Sequence, residues 1–334
     1  MDSYTRTMAA IHGESCDRPP VIPLIIQHAL HIAGIPHGEY STDPNRLAAA
    51  QLFALREYGY DGLHVSSDNY IISEVLGNEV RIQHDEPPQK LRSVLESNVS
   101  LTKLKDFDPL TDGRMPVIIG ATRLLREELG EKAFIKTNCD SGPFSVASAL
   151  RGAENLLYDM ADGMEYIYDL LELTGEAIIK YAKAIAAAGA HCITYGESSA
   201  SIIGRADFEK NVLPFNRHVI SEIKKTGLPV FFHMCGNIDH IVDLLPQTGA
   251  DAIEIDSMTD LARAYELTNR RLCIEGTVDT VKILLKGTPE DVVSDARECI
   301  RVSQGRNLIL SSGCELPRHT PKENVRALMD AAML

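Results

Sequence analysis

The chain has 334 residues and a formal net charge of −14, and hydrophobic residues make up 44% of it. This composition supports a large buried core and argues against a disordered chain. The acidic balance disfavours nucleic acid as a partner, because binding to phosphates requires a basic surface. No stretch approaches the about 18 apolar residues of a membrane span, so we expect no membrane association. Dinucleotide-binding, P-loop and nucleophile-elbow motifs are absent from the sequence.

The N-terminal segment and the cysteines indicate the compartment. Residues 1–20 contain no apolar core of the kind that a signal peptide needs. The seven cysteines are an odd number, spread thinly along a long chain. We therefore expect reduced thiols and a cytoplasmic location.

Short apolar runs predict eight β-strands, and helical patterns separate them. The predicted strands cover residues 21–26, 62–66, 133–138, 191–195, 229–233, 252–256, 272–275 and 308–311. Asp43 followed by Pro44 predicts the start of a helix that runs to about Tyr58. Apolar residues at helical spacing predict a second helix over 206–225.

Two later segments carry signals for a helix start. Thr288 and Thr320 each precede a proline and an acidic residue, which is typical of a capped first turn. Eight strands that alternate with helices predict a single-domain (β/α)8 TIM barrel over residues 1–334, with a helical insertion after the second strand at 81–126. An open, doubly wound sheet is the alternative architecture.

The strongest candidate site is formed by three residues at the ends of two predicted strands. The fifth strand ends in His233-Met-Cys235, and alternate residues of a strand point to the same side. Cys314 follows the last strand, and the carboxyl ends of barrel strands meet on one face. One histidine and two cysteines, with a fourth position open, are the ligand pattern of catalytic zinc. The remaining cysteines lack this context and are interpreted as core or surface thiols: Cys16, Cys139, Cys192, Cys273 and Cys299.

Acidic residues at strand ends are candidates for catalysis. Asp256 ends the sixth predicted strand and shares a face with Glu254, so the fourth zinc ligand is Asp256, Glu254 or water. A helix cap or a structural salt bridge is the alternative role of Asp256. Asp68 and Glu197 follow two other strands and are the further candidates for acid or base chemistry.

Further polar residues at the same strand ends predict a polar bowl that binds substrate. Each of them could instead simply begin a loop. The candidates are Gln27, His28, Asn69, Asn138, Asp140 and Tyr195.

Several motifs together resemble the uroporphyrinogen decarboxylase superfamily across most of the chain. They are the segments 67–69 (Ser-Asp-Asn), 76–77 (Leu-Gly), 141–144 (Ser-Gly-Pro-Phe), 151–152 (Arg-Gly), 187–190 (Ala-Ala-Gly-Ala), 275–279 (Glu-Gly-Thr-Val-Asp), 287–290 (Gly-Thr-Pro-Glu), 312–317 (Ser-Gly-Cys-Glu-Leu-Pro) and 320–325 (Thr-Pro-Lys-Glu-Asn-Val). The resemblance implies a (β/α)8 barrel with its site at the carboxyl-terminal mouth, in agreement with the strand count. Asp68 matches an aspartate of the decarboxylases.

The sequence departs from the decarboxylases at two places. Their arginine-containing segment, which holds the carboxylates of the porphyrinogen, is here residues 27–31 (Gln-His-Ala-Leu-His), without arginine. Their Gly-His-Gly turn is replaced by Gly313-Cys314-Glu315. The cysteine at this turn, together with His233-Met-Cys235 at the end of the fifth predicted strand, resembles the corrinoid-dependent methyltransferase branch, which includes methylcobalamin:coenzyme M methyltransferases. That resemblance implies zinc held by His233, Cys235 and Cys314, with Asp256 at the position of an acidic fourth ligand in some members.

The resemblance implies a zinc-dependent methyltransferase that exchanges a methyl group with a corrinoid, which is methylcobalamin when methylated. The corrinoid would be carried by a separate corrinoid protein, because no segment here is left for a corrinoid-binding domain. The second substrate is a small methyl donor or acceptor: a thiol, a methoxyarene, a methylamine or a folate. The alternatives are a uroporphyrinogen decarboxylase-type lyase and a non-catalytic barrel that binds a corrinoid or folate.

Overall fold

The computed structural model describes residues 1–333, and it has an α/β architecture. Within that range lies a seven-stranded parallel sheet in the order β1-β4-β5-β6-β7-β8-β9, beside a two-stranded antiparallel sheet of β2 and β3. The strands are β1 Gly62–Val65, β2 Glu79–Arg81, β3 Gln89–Arg92, β4 Phe134–Ser141, β5 Cys192–Gly196, β6 Val230–Met234, β7 Ala252–Ile255, β8 Cys273–Val278 and β9 Leu308–Ser312. The seven-stranded sheet confirms parallel strands that alternate with helices.

Helices flank the large sheet and cover its outer face. The α-helices are α1 Ser3–Ile11, α2 Gln27–Ile32, α3 His37–Thr42, α4 Pro44–Tyr58, α5 Ile71–Val75, α6 Met115–Leu129, α7 Pro143–Arg151, α8 Ala153–Ala161, α9 Tyr166–Ala187, α10 Arg205–Asp207, α11 Leu213–Lys224, α12 Leu261–Leu267, α13 Pro289–Ser303 and α14 Lys322–Met333. Short 3-10 segments cover Leu101–Lys103, Ser198–Ile202 and Val242–Thr248, and π-helical segments cover Phe208–Val212 and Thr280–Leu285. No helix within residues 1–333 is long and apolar enough to span a membrane.

Helix boundaries follow the capping residues of the sequence. The Asp43 side chain accepts a hydrogen bond from the Asn45 amide at the start of α4, and α4 ends at Gly59 in the left-handed conformation. Thr288 and Asp291 form a reciprocal capping box at the start of α13. The helix predicted over 206–225 is divided into α10, a π-helical turn and α11.

The first predicted strand, 21–26, is wrong as a regular strand. Only Val21 forms a β-bridge, with Leu310 of β9. The amide of Ile22 and the carbonyl of Pro20 also bond to Leu310, while the Val21 carbonyl accepts from the Asp61 amide before β1. This segment therefore lies between the two edge strands of the sheet. Prolines at positions 20 and 23 lack an N–H group, so a longer ladder of hydrogen bonds cannot form.

The predicted helical insertion, 81–126, also differs from the structure. Its first part contributes to an antiparallel hairpin of β2 and β3, with register pairs from Glu79–Arg92 to Arg81–Gln89. Its last part belongs to α6, which packs against α4 and β4 in the helical layer that covers the sheet. The insertion is therefore shorter than predicted, and it contains strands as well as a 3-10 turn.

Side chains inside the curled sheet form two successive layers. The apolar layer closes the amino-terminal end against Ala10 and Ile11 of α1, and from the strands it contains Phe134, Cys192, Phe231, Ala252, Cys273 and Ile309. The polar layer lies two positions further along the strands and contains His64, Lys136, Thr194, His233, Glu254 and Glu275. Because alternate residues of a strand share a face, the second layer points inward, toward the carboxyl ends of the strands.

Candidate metal centre

His233, Cys235 and Cys314 meet at the carboxyl ends of β6 and β9. The Nε2 atom of His233 lies 2.8 Å from the Cys235 sulfur, and the two sulfurs lie 3.2 Å apart. One ligand atom from each residue lies within 4.8 Å of the other two. The structure therefore brings together the three residues that the sequence selected from two distant segments.

A close approach of two loops positions Cys314. At the neighbouring Gly313, a Cβ atom would lie 2.6 Å from the amide nitrogen of Ser257, which is too short for any side chain. Gly313 thus allows the segment after β9 to pack directly on the segment after β7. Its amide is fixed by the carbonyl of Val278 at 2.9 Å. The rigid turn that results directs the Cys314 thiol toward Cys235.

Hydrogen bonds within the cluster change the acidity of its members. Cys235 accepts a hydrogen bond from the Cys314 thiol, which lowers the pKa of Cys235 and raises the pKa of Cys314. Burial would lower the pKa of His233, but the contacts with Cys314 and Glu254 raise it to about 10.

The donor set fits a zinc ion. Two donors bound to one tetrahedral zinc at about 2.0–2.3 Å lie about 3.3–3.8 Å apart. The observed separations of 2.8 and 3.2 Å are slightly shorter, so the side chains would move apart by less than about 1 Å to hold the ion. Imidazole nitrogen and thiolate sulfur are the atoms that zinc prefers. The opposite ring nitrogen of His233, Nδ1, lies 3.4 Å from Oε2 of Glu254.

The Asp256 carboxylate is occupied by backbone groups. It accepts hydrogen bonds from the amides of Gly236 at 3.2 Å and Met258 at 3.1 Å. Asp256 thereby connects the segments that follow β6 and β7. It is not part of the ligand cluster that the described residues form. Its role as a fourth ligand stays a prediction, and its observed contacts are those of a loop anchor.

A cavity of about 360 Å³ opens beside the cluster. Hydroxyl and amide side chains dominate its wall, and Lys90 from the hairpin is the one lysine or arginine among the described lining residues. The lining residues are Leu24, Ile26, His64, Ser66, Asn69, Tyr70, Lys90, Asn138, Ser141, Ser145, Ser148, Ala149, Ala153, Thr194, Tyr195, Gly196, Ser198, Ser199, His233, Cys235, Glu254, Cys314 and Glu315. Its size suits a small ligand.

Three of the six predicted substrate-binding residues line this cavity: Asn69, Asn138 and Tyr195. The other three lie elsewhere. The ring of His28 is buried between the Tyr58 hydroxyl and the Arg318 carbonyl, and the backbone N–H of Gln27 donates a hydrogen bond to the Glu315 carboxylate. Asp140 is buried and accepts from the Ile72 amide at 2.6 Å.

The candidate acids Asp68 and Glu197 do not line the cavity, and both have structural partners. Asp68 forms a two-pronged salt bridge with the buried Arg114 guanidinium. Glu197 is fully buried and accepts from the amides of Phe144 and Ser145 in the first turn of α7. Burial raises the pKa of Glu197. Both residues therefore hold the scaffold around the cavity, and a catalytic role for either stays a prediction.

Sequence reasoning missed most of the polar layer. Lys136 and Glu275 are fully buried and contact each other, and His64 and Thr194 line the cavity. The alternation of side chains along a strand could have identified them, because each of these residues lies two positions after a residue that faces the interior of the sheet. A lysine within the apolar run Phe134-Ile-Lys-Thr was the clearest indication of a buried ionic group.

The carboxyl ends of a parallel, curled sheet thus enclose a cavity beside a His-Cys-Cys set, which is a combination of donors that can hold a metal ion. The family model for uroporphyrinogen decarboxylase (URO-D) matches residues 2–333, and the chain belongs to this family. This finding confirms the resemblance that the motifs indicated.

Relatives with two different activities match the chain. The methylcobamide:CoM methyltransferase MtbA of Methanosarcina acetivorans is 26% identical over 341 residues, which cover 99% of this chain and 98% of the relative. The uroporphyrinogen decarboxylase of Carboxydothermus hydrogenoformans is 26% identical over 300 residues, covering 87% and 83%. A solved methyltransferase from Methanosarcina mazei superposes with a TM-score of 0.92 at 24% identity, covering 100% and 98% of the two chains, and it supports the same fold.

Proposed function

We propose that this chain is a zinc-dependent methyltransferase that moves a methyl group between a corrinoid on a partner protein and a small methyl donor or acceptor. The observation that carries the proposal is the approach of Nε2 of His233 and the sulfurs of Cys235 and Cys314 beside a small cavity. The similarity to methyltransferases such as MtbA over almost the whole chain supports it.

The three ligands would hold zinc, which supplies a Lewis acid that lowers the pKa of a bound thiol. The chain itself binds and orients the reactants. In transfer to a thiol, a sulfur–carbon bond forms as the cobalt–carbon bond breaks, the electron pair stays on cobalt, and the thiol proton is released. The residues of the cavity wall would bind and orient the acceptor, and such positioning lowers the barrier of a displacement.

The cavity size bears on how the corrinoid reaches the site. A volume of about 360 Å³ suits the small reactant, whereas a corrin ring with its side chains is much larger. We therefore infer that the corrinoid stays on its own protein, which docks over the mouth during transfer. Thiols, methoxyarenes, methylamines and folates remain the candidates for the small reactant.

The alternative is decarboxylation of a porphyrinogen, since a decarboxylase is also among the relatives. A substrate with many carboxylates needs several cationic partners, and guanidinium groups bind carboxylates best. The described lining residues include no arginine and only Lys90 as a lysine. This charge distribution favours methyl transfer.

The test is an assay of protein purified without chelators. We expect about one zinc per chain by elemental analysis, and a change in cobalt absorbance when methylcobalamin or cob(I)alamin is mixed with the small-reactant candidates. Cys314→Ser should abolish both the bound zinc and the change in cobalt absorbance. Absence of stoichiometric zinc, or unchanged zinc and turnover in Cys314→Ser, would contradict the proposal. Conversion of uroporphyrinogen to coproporphyrinogen would establish the lyase, and binding of a corrinoid protein without transfer would indicate an accessory subunit.

A further inference from the structure

The polar layer contains a buried ionic network that the proposed transfer does not use. Lys136 is completely buried; it contacts the Glu275 carboxylate, and its Nζ atom lies 3.4 Å from Oε1 of Glu254. The hydroxyl of Thr194 donates to the same Oε1 atom at 2.5 Å. One oxygen of Glu254 is thus held from two sides, by residues of β4 and β5.

The other oxygen of Glu254 faces the metal-binding cluster. Oε2 lies 3.4 Å from Nδ1 of His233, and neither atom has another hydrogen-bond partner in the described structure. Glu254 and His233 are register partners on the adjacent strands β7 and β6, so the contact follows from strand pairing. On the opposite side of the ring, Nε2 points to Cys235.

We propose that Glu254 is a positioning residue that directs Nε2 of His233 toward the metal, and that Lys136 and Thr194 hold Glu254 in place. This inference rests on the proposed function, because it assigns a role toward the same zinc ion. A neutral imidazole has one protonated and one free nitrogen, so a carboxylate at Nδ1 keeps the proton there and leaves Nε2 free to bind.

Burial explains why Lys136 belongs to this arrangement. A carboxylate removed from water needs a charged or hydrogen-bonding partner, or it takes up a proton and becomes a weaker acceptor. Lys136 supplies one positive charge to Glu254 and Glu275, and Thr194 supplies a directed hydrogen bond to Glu254. A purely structural ion pair would need neither the alignment with Nδ1 nor a free oxygen beside it.

The experiment compares Glu254→Gln and Glu254→Met with the wild-type chain. Zinc dissociation constants are measured by competition with a chromophoric chelator, and the Nδ1 proton of His233 is observed in zinc-loaded, 15N-histidine-labelled protein. A His233→Ala spectrum assigns the signal. We expect about a 10–100-fold weaker zinc affinity and loss of the Nδ1 proton signal in Glu254→Met. The effect should be smaller in Glu254→Gln, because an amide oxygen still accepts the bond.

Two further variants keep the test decisive. If Glu254→Met does not fold, Thr194→Val decides on the same two measurements, and we expect a several-fold loss of affinity. Asp61→Asn is the matched control, since Asp61 is a buried carboxylate that pairs with Arg6 and Arg18 at the amino-terminal end of the sheet. It should lower the unfolding free energy and leave zinc affinity unchanged.

The outcomes separate this inference from the proposed function. Wild-type protein that binds no zinc would overturn the proposed function, and this inference with it. Wild-type protein that binds zinc, together with folded Glu254→Met or Thr194→Val of equal affinity and an intact Nδ1 signal, would overturn only the positioning role. A weakened affinity in Asp61→Asn equal to that in Glu254→Met would overturn it too, because the loss would then reflect general destabilisation.

Discussion

The sulfur atoms of Cys235 and Cys314 lie 3.2 Å apart, although 79 positions separate the two residues in the chain. Their strands, β6 and β9, are not neighbours, because β7 and β8 lie between them. The contact is therefore made across the mouth of the curled sheet rather than along a pair of strands. The contact places two thiols side by side, as the proposed zinc site requires.

Replacement of Cys314 by serine should remove the metal. A hydroxyl is a poor zinc ligand, so we expect zinc affinity to fall by more than about 100-fold, beyond the usual effect of losing an orienting residue. Elemental analysis after dialysis measures the loss. Cys299→Ser is the control: its thiol is buried beside Thr277, away from the cluster, and the variant should keep its zinc. Equal zinc content in the two variants would exclude Cys314 as a ligand.

Removal of zinc should expose two thiols to alkylation. Three cysteines are partly exposed in the structure: Cys16, Cys235 and Cys314. We expect iodoacetamide to label all three after chelation, and only Cys16 once zinc is restored, because bound thiolates are protected from the reagent. Mass spectrometry of peptides measures the rates, with Cys16 as the internal control. Identical labelling of Cys235 and Cys314 in both states would speak against the metal site.

Asp140 should make stability depend on pH. Burial raises the pKa of Asp140 to about 7, well above its value of about 4 in an unfolded chain. Between these values the folded state keeps a proton that the unfolded state has lost, so this residue lowers the unfolding free energy as pH rises from about 4 to 7. Asp140→Asn removes this contribution.

Urea denaturation at several pH values tests this prediction. The unfolding free energy of Asp140→Asn minus that of the wild-type chain should increase as the pH rises from 5 to 7. The increase should be at most about 1.4 kcal/mol for each pH unit. Asparagine suits the position, because residue 140 has φ of 84° and asparagine tolerates that conformation. If the unfolding free energies of the two proteins change with pH in the same way, the prediction of a raised pKa for Asp140 is wrong.

Loss of the Asp68 carboxylate should destabilise the fold. Arg114 is buried and shares its guanidinium between Asp68 and Glu74. Asp68→Asn leaves this cation with one carboxylate, and we expect the unfolding free energy to fall by about 3 kcal/mol. Asp106→Asn is the control, because Asp106 pairs with Lys180 while 98% exposed, and little change is expected. A stable Asp68→Asn with impaired turnover would instead favour a catalytic Asp68.

The alternation of strands and helices could be predicted from the sequence, because the apolar residues of each element have the spacing typical of a strand or a helix. Seven of the eight predicted strands exist, and α4 begins and ends at its capping residues Asp43 and Gly59. The strand predicted at 21–26 failed because apolar character does not compensate for the N–H groups that Pro20 and Pro23 lack. The hairpin of β2 and β3 was missed because its strands are short and mostly exposed, so no alternation marks a buried face.

The sequence identified members of the candidate site only where a side chain suited to metal binding also lies at the end of a strand. His233, Cys235 and Cys314 carry rare functional groups at strand ends, and that combination was sufficient to select them. Asp68 and Glu197 also follow strands and carry carboxylates that could act in catalysis. Their carboxylates instead bond to Arg114 and to the amide of Ser145 at the start of α7. Nothing local to either residue indicates that partner.

By itself, the sequence determined the seven strands of the large sheet and the residues at their carboxyl ends, because both depend mainly on neighbours along the chain. Only the tertiary structure decided that Cys314 meets Cys235 and that Lys136 lies beside Glu254. It also decided that Asp256 bonds to the Gly236 amide. These contacts join distant segments, and the curl and register of the sheet set their distances.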